Sequence, residues 1–268
     1  MSYKHLDSQM PYTRAKRELG ISYLGSVAVS HKLELSKKNG TLTYGVYLAP
    51  ADMSGHNVCP NSKWCKQFCL AGSGQNKIDE LARGREHSKI NESRIKKTKL
   101  FFENRELFMR ILVHEIERER KTAKMLKMPF SVRLNCTSDI SPEDFVLDGK
   151  NILQIFPSVT FYDYTKVPSR LNLLHKYENY DLTFSYNGHN WPSCEKFLKA
   201  GGRVAVVFFD GFPAEYRGYP VYSGDGYDMR YLDPSGIVGL TYHRVASDYK
   251  TINGERVFVK PQTDFVVG

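Results

Sequence analysis

After a basic, loosely patterned lead-in over residues 1–25, hydrophobic and polar positions alternate and then change period twice. Val27 to Leu35 and Thr41 to Leu48 read as β-rich alternating runs. Lys37-Lys38-Asn39-Gly40 lies between them, and its Asn-Gly step predicts a hairpin turn. Residues 48–74 lose all periodicity, and a loop this long inside a folded domain is usually functional or held by something. From 77 to 127 the period becomes helical. Leu107, Phe108, Ile111, Leu112 and Ile116 fall on one face, and a break is expected near Glu103-Asn104. After Lys127, short Val/Phe/Tyr-rich runs at 130–136, 159–164, 181–186 and 203–209 predict strands. Between them, segments at 142–147, 168–177 and 192–200 each open on proline, as first helical turns do. Further strands are expected at 220–223 and 237–241.

Strand–helix alternation of this kind predicts an α/β fold built from parallel βα units. The expected architecture is a partial (βα) barrel of mostly parallel strands, with an N-terminal hairpin and a long helical segment; pattern alone leaves a complete barrel or an open sheet as alternatives. A single domain over 1–268 is expected: 1–50 extension and hairpin, 51–76 cysteine loop, 77–128 helices, 129–245 βα units and 246–268 C-terminal segment. No internal repeat or low-complexity stretch is present.

Composition narrows the class. With 268 residues, 41% hydrophobic and 25% charged, the chain is an ordinary folded protein, neither disordered nor coiled coil. No apolar run is long enough to span a membrane, and Met1-Ser2-Tyr3-Lys4-His5 lacks an apolar signal region, so a cytoplasmic protein is expected. The net charge of +9 suggests DNA or RNA as a partner. Arg83, Arg85, Lys89, Arg94, Lys96, Lys97 and Lys99 crowd one helical stretch. Their default reading is a solvated face, and a polyanion groove is the alternative.

The five cysteines carry more. Cys59, Cys65 and Cys69 lie within eleven residues, in a Cys-x5-Cys-x3-Cys spacing. Three thiolates on one short loop can converge on one centre, as iron–sulfur or zinc ligation requires, and each normally takes four ligands. The fourth position is then open or filled from elsewhere. Cys136, His56 and His87 are candidates for closing a zinc site, and inert buried thiols are the remaining alternative.

In parallel βα units, ligands gather at the C-terminal strand ends. Those ends carry Arg133, Asn135, Thr137, Ser138 and Asp139; Tyr162, Asp163, Tyr164, Thr165 and Lys166; and Ser185, Tyr186, Asn187, His189 and Asn190. Asp139 could accept from an amine and Lys166 could meet a carboxylate or phosphate. Equally, Asp139 could cap a helix near Pro142 and Thr165 one near Pro168. Asp225, Asp228 and Asp233 lie within Gly224–Pro234, where a turn tying Asp228 to Arg230 or Arg203 explains them without a metal. No phosphate-binding loop, dinucleotide fingerprint, serine elbow or His-Glu-x-x-His motif occurs.

The succession Cys59…Cys65…Cys69-Leu70, Arg133-Leu134-Asn135-Cys136-Thr137-Ser138-Asp139, Phe161–Lys166, Leu182–Ser185 and Gly224-Asp225…Asp228–Pro234 resembles the phage and plasmid family called gene product 88, over residues 45–245. More distantly, it is similar to phage proteins related to radical S-adenosylmethionine (SAM) enzymes. That resemblance implies a [4Fe–4S] cluster on Cys59, Cys65 and Cys69. It places Asn135, Ser138 and Asp139 at the SAM site, and Asp139 and Lys166 as catalytic candidates, Lys166 deeper in the barrel. The spacing is wider than the usual Cys-x3-Cys-x2-Cys, although Phe68 precedes Cys69. Cys136 could close the fourth iron, which would exclude SAM. The expectation is an iron–sulfur protein of a phage or mobile element, acting in the host cytoplasm on a nucleic acid or nucleotide. The alternative is a nucleic-acid-binding protein whose cluster or zinc is structural. There, Tyr162, Tyr164, Phe184 and Tyr186 would stack bases. The sequence leaves the oligomeric state open.

Overall fold

A computed structural model describes residues 2–27, 30–62, 65–66, 69, 87–243, 248–252, 255–260 and 263–268. The lead-in forms helix α1 (Tyr12–Leu19), entered through Pro11 and closed by Gly20 in the left-handed conformation. Strand β1 (Gly25–Ser26) is followed by helix α2 (His31–Lys38) and strand β2 (Leu42–Val46). The hairpin expected over 27–48 is therefore corrected. β1 and β2 do pair antiparallel, but a helix joins them. Ser30 caps that helix by accepting from the Leu33 N–H at 3.4 Å. Asn39-Gly40 terminates it, with Gly40 at φ +84°. The same dipeptide serves a hairpin turn and a helix end, because both need a residue tolerant of positive φ.

The helical segment comprises α3 (Lys89–Glu103) and α4 (Arg105–Met125), broken at Asn104 as expected. Asn104 ends the first helix and caps the second by accepting from the Leu107 N–H. The expected helical stretch 77–86 lies outside the described residues. The reading of one solvated charged face is corrected in two places: Lys97 is 5% exposed, and Arg94 is largely covered.

Strand β3 (Phe130–Arg133) is followed by a short hairpin, β4 (Val146–Leu147) and β5 (Lys150–Asn151), and by the single turn α5 (Ile152–Ile155). Then come β6 (Thr160–Thr165), β7 (Tyr180–Ser185), helix α6 (Trp191–Lys199), β8 (Arg203–Phe208), β9 (Glu215–Tyr216), β10 (Tyr219–Ser223) and β11 (Gly236–Thr241). A hairpin of β12 (Tyr249–Ile252) and β13 (Glu255–Phe258) precedes β14 (Val266–Val267). Two expected helices are only 3-10 segments, Pro142–Asp144 and Pro168–Leu173.

The main sheet has 10 strands in the order β1-β2-β3-β6-β7-β8-β11-β10-β9, with β14 added beside β8. Every pairing from β2 to β10 is parallel, and the two edge pairings are antiparallel. Among the described residues the sheet is not closed, so the fold is mixed α/β around a largely parallel central sheet. No described helix is long and apolar enough to cross a membrane.

Register separates the faces, because successive side chains alternate. One face carries Tyr44, Val132, Phe161, Leu182, Phe184, Val204 and Ile237, all buried. Helix α4 seals it with Leu107, Phe108, Ile111, Leu112 and Ile116, and α6 stacks Phe197 on Phe184 at 4.3 Å. Glu115 of α4 is buried there as an acceptor for Tyr12, Tyr44, Leu24 N–H and Gly25 N–H. The opposite face is polar: Thr43, Ser131, Arg133, Tyr162, Tyr164, Asp181, Thr183 and Arg203.

Candidate functional site

The cysteine loop leaves the C-terminal end of β2 and is fastened to the ends of its neighbours. Cys136 N–H donates to Val46 O (3.1 Å) and Thr137 Oγ1 to Leu48 O (2.6 Å). Asp139 N–H donates to Val58 O (2.8 Å), and Asn61 Nδ2 to Lys166 O (2.8 Å). These bonds draw residues 46–61 across the ends of β3 and β6. Inside the loop, Asn57 Oδ1 accepts from Cys59 N–H at 2.9 Å, which turns the chain at the first cysteine.

The Cys59 thiol is half-buried and receives the Ala51 N–H at 3.4 Å. Burial pushes its pKa up to about 11, with Asp139 and the Cys69 and Cys65 thiols adding to the rise. The Cys65 and Cys69 sulfurs therefore both act on Cys59. Among the described residues, no three His, Cys, Asp or Glu side chains are gathered as a ready-made metal site. The donors are of the right chemistry for soft metals, and burial holds Cys59 toward its protonated form rather than as a preassembled ligand. Of the residues considered for completing a zinc site, His56 is stacked on Phe102 at 4.4 Å between ring centroids.

Cys136 occupies a different niche. A Cβ at Gly45 would fall 2.7 Å from its sulfur, so the thiol lies where a β2 side chain would otherwise stand. Burial raises it to about 12, while Arg133 and a hydrogen bond with Tyr47 pull the other way. Between the two thiol environments lies Arg94, which acts on both Cys69 and Cys136. Its guanidinium lies 5.6 Å from the Tyr47 ring centroid and bonds Asn91 Oδ1 at 3.3 Å. Its Nε is buried without a hydrogen-bond partner among the described residues. The sequence reading missed Arg94, because its helical spacing assigns it to an outer face. Its signal, an aromatic partner on β2's exit, is not local in sequence.

The strand-end residues come together, but mostly to brace the backbone. Asn135 accepts from Ser138 Oγ and Ile140 N–H at 2.8 Å each and donates to Asp163 Oδ2 at 3.0 Å. Asp163 also accepts from Asn135 N–H at 2.7 Å, and burial raises its pKa to about 7. Asp139 does not cap the turn at Pro142, whose N-cap Ser141 makes no side-chain bond. Its carboxylate instead pairs with Arg170 at 2.5 Å and accepts Lys166 N–H at 2.9 Å. Thr165 does act as a local acceptor, for Val167 N–H at 3.0 Å. Lys166 touches this network through its backbone. Its ammonium acts on the buried Cys194 thiol, partly offsetting a rise to about 12.

The Gly224–Pro234 block crosses the polar face of the sheet. Asp228 pairs with Arg133 at 2.6 Å and accepts from Tyr162 OH at 3.1 Å. Asp233 pairs with Arg230 at 2.9 Å, and its carbonyl accepts from Arg203 at 2.8 Å. Tyr231 packs edge-on against Tyr162, with ring centroids 5.5 Å apart. The expected turn ties Asp228 to Arg230 through the backbone, Arg230 N–H donating to Asp228 O at 2.9 Å, while the Asp228 carboxylate pairs with Arg133.

No curated protein and no solved structure matches the chain. The cysteine loop, the braced strand ends and the Gly224–Pro234 segment all fall inside one matched region, residues 25–255, and by that match the chain belongs to the family described as gene product 88.

Proposed function

We propose that this is an iron–sulfur protein whose [4Fe–4S] cluster is held by Cys59, Cys65 and Cys69. The observation that carries the reading is the placement of Cys59, on the segment that bears all three cysteines, where hydrogen bonds fasten it at the C-terminal end of the parallel strands. Ligands of α/β folds collect at that end. The open sheet would serve as a partial barrel around the cluster. A bound cluster supplies electron transfer, and with SAM on an open iron it would supply reductive cleavage. Thiolate ligation needs a reducing compartment, which favours the host cytoplasm as the site of action. The saturated carboxylate of Asp139 makes it a positioning residue that holds the 135–140 loop against Val58.

The test is anaerobic purification with iron and sulfide analysis. About four irons per chain are expected. Loss of iron is expected in Cys59→Ala, Cys65→Ala and Cys69→Ala, with retention in Cys136→Ala because that thiol is seated against Gly45 and Tyr47. A colourless protein holding one zinc would overturn the cluster, and a metal-free protein under these conditions would overturn both.

A second reading rests on a separate group. Arg217 lies 4.6 Å from the Trp191 ring centroid and 5.5 Å from that of Tyr216, with Tyr186 and Tyr219 beside Trp191. Such a partly exposed aromatic–arginine group can stack bases, which favours DNA or RNA as a partner with the metal purely structural. Single-strand affinity that does not fall with salt would refute it.

A further inference from the structure

The polar face of the sheet holds an anomaly separate from the cysteine loop. Tyr164, Thr183 and Arg203 are lateral neighbours on β6, β7 and β8. Each has a buried polar atom with no hydrogen-bond partner among the described residues: the Tyr164 hydroxyl, Thr183 Oγ1 and Arg203 Nε. Arg133 Nε and Asp181 Oδ1 on the same face share this condition, as does Arg230 Nε from the segment above. Thr183 and Arg230 are fully buried, at 0% exposure each. Folded proteins leave few such atoms over the entire chain, and a contiguous patch of them calls for an outside partner.

We propose that the layer between this face and residues 224–235 binds an uncharged polyhydroxylated ligand, the sugar part of a small molecule, through a vicinal diol. Charge selects against anions. Arg133, Arg203 and Arg230 each already face a carboxylate, from Asp228, Asp181 and Asp233. A phosphate or carboxylate would enter with its charge uncompensated, at a large desolvation cost. The groups left over include guanidine N–H donors, the Tyr164 and Thr183 hydroxyls and carboxylate oxygen, Asp181 Oδ1 among it. A ligand meeting them must both accept and donate at closely spaced points, as adjacent hydroxyls do. The rings of Tyr162, Tyr164 and Tyr231 supply apolar surface for the C–H side of such a molecule. Tyr164 and Arg133 keep partial exposure, 12% for the Arg133 side chain, and mark the edge of the layer nearest solvent.

The site can be tested on the purified full-length chain by thermal shift and calorimetry with adenosine, 2′-deoxyadenosine, ribose and glucose at millimolar concentration. This readout needs no metal, so its failure is distinguishable from failure of the cluster reading. Adenosine, a free sugar or both should raise Tm, the responding arm identifying the source, and 2′-deoxyadenosine should not. Tyr164→Phe and Thr183→Val should each weaken binding about tenfold, one hydrogen bond's worth, while melting no lower than the parent. Thr183→Ser keeps the hydroxyl and should keep the affinity. The proposal is overturned if no compound binds, if the deoxynucleoside binds as well as adenosine, or if both hydroxyl deletions leave affinity unchanged.

Discussion

Replacing Asp139 by asparagine should destabilise the fold more than any exposed substitution, and the structure sets the scale. Asp139 and Arg170 are 8% and 7% exposed, and their charges meet at 2.5 Å. Asparagine at 139 can accept from Lys166 N–H or from Arg170, but not from both, and its amide N–H₂ then faces another donor. The guanidinium would keep only the Asp139 carbonyl at 2.7 Å and Thr165 Oγ1 at 3.3 Å. Removing one member of a buried ion pair costs about 3–5 kcal/mol, because the remaining charge stays buried. For a chain of this size that lowers Tm on the order of 10 °C. Urea unfolding with linear extrapolation measures it directly. Asp139→Asn combined with Arg170→Met removes the stranded charge, so the double variant should cost less than the sum of the singles by about 1–3 kcal/mol. A single variant within about 0.5 kcal/mol of the parent, or strict additivity, would refute the bracing role.

Two further outcomes follow from burial. Asp163 keeps its proton up to about pH 7 in the folded state but ionises near its ordinary value of 3.8 when unfolded. Below the lower value both states are protonated and the group costs nothing; between the two, the unfolded state alone is ionised. Its contribution therefore falls by about 1.4 kcal/mol per pH unit as pH rises through that window, then levels off. Urea midpoints of Asp163→Asn should lose this slope, and an unchanged pH profile would count against the buried neutral acid. At Gly45, an added Cβ would meet the Cys136 sulfur at 2.7 Å and Leu33 Cδ1 at 2.9 Å. Gly45→Ala should cost about 1–3 kcal/mol by overpacking, and part should return in Gly45→Ala/Cys136→Ala. No recovery in that pair would place the Cys136 thiol elsewhere.

The parallel strands were legible because nothing competes with their signals. Val-, Phe- and Tyr-rich runs of strand length, separated by Pro142, Pro168 and Pro192, admit few other readings. The hairpin was misread because Asn39-Gly40 carries one physical message, positive φ, which two structures use. Ser30, three residues before Leu33, was the competing cap signal. Among the candidate residues, cysteine spacing marked the loop, and Asn135, Ser138 and Asp139 do lie together beyond the end of β3. Their work was not legible, because Arg170 reaches Asp139 across 31 positions and Arg133 reaches Asp228 across 95. A polar residue at a strand end looks the same in sequence whether it turns toward a ligand or toward a brace.

That distinction bears on which groups remain for chemistry at the C-terminal end of the sheet. Asp139, Asp163 and Asn135 are spent on backbone and arginine partners, so they are poor candidates for binding a further cation or amine. The Cys59 thiol takes the Ala51 N–H at 3.4 Å and the Cys65 thiol faces Ser62 O at 3.7 Å, contacts weaker than the ion pair that holds Asp139. Arg94 lies beside Cys69 and Cys136, makes no ion pair among the described residues, and pays the desolvation of a covered guanidinium. A buried cation without a counter-ion is unfavourable in isolation and becomes favourable once a negative centre forms next to it. Deprotonating the cysteines around a soft metal creates such a centre. The same guanidinium, whose buried Nε looks like a defect, is thus well placed to stabilise the thiolates that a metal would create.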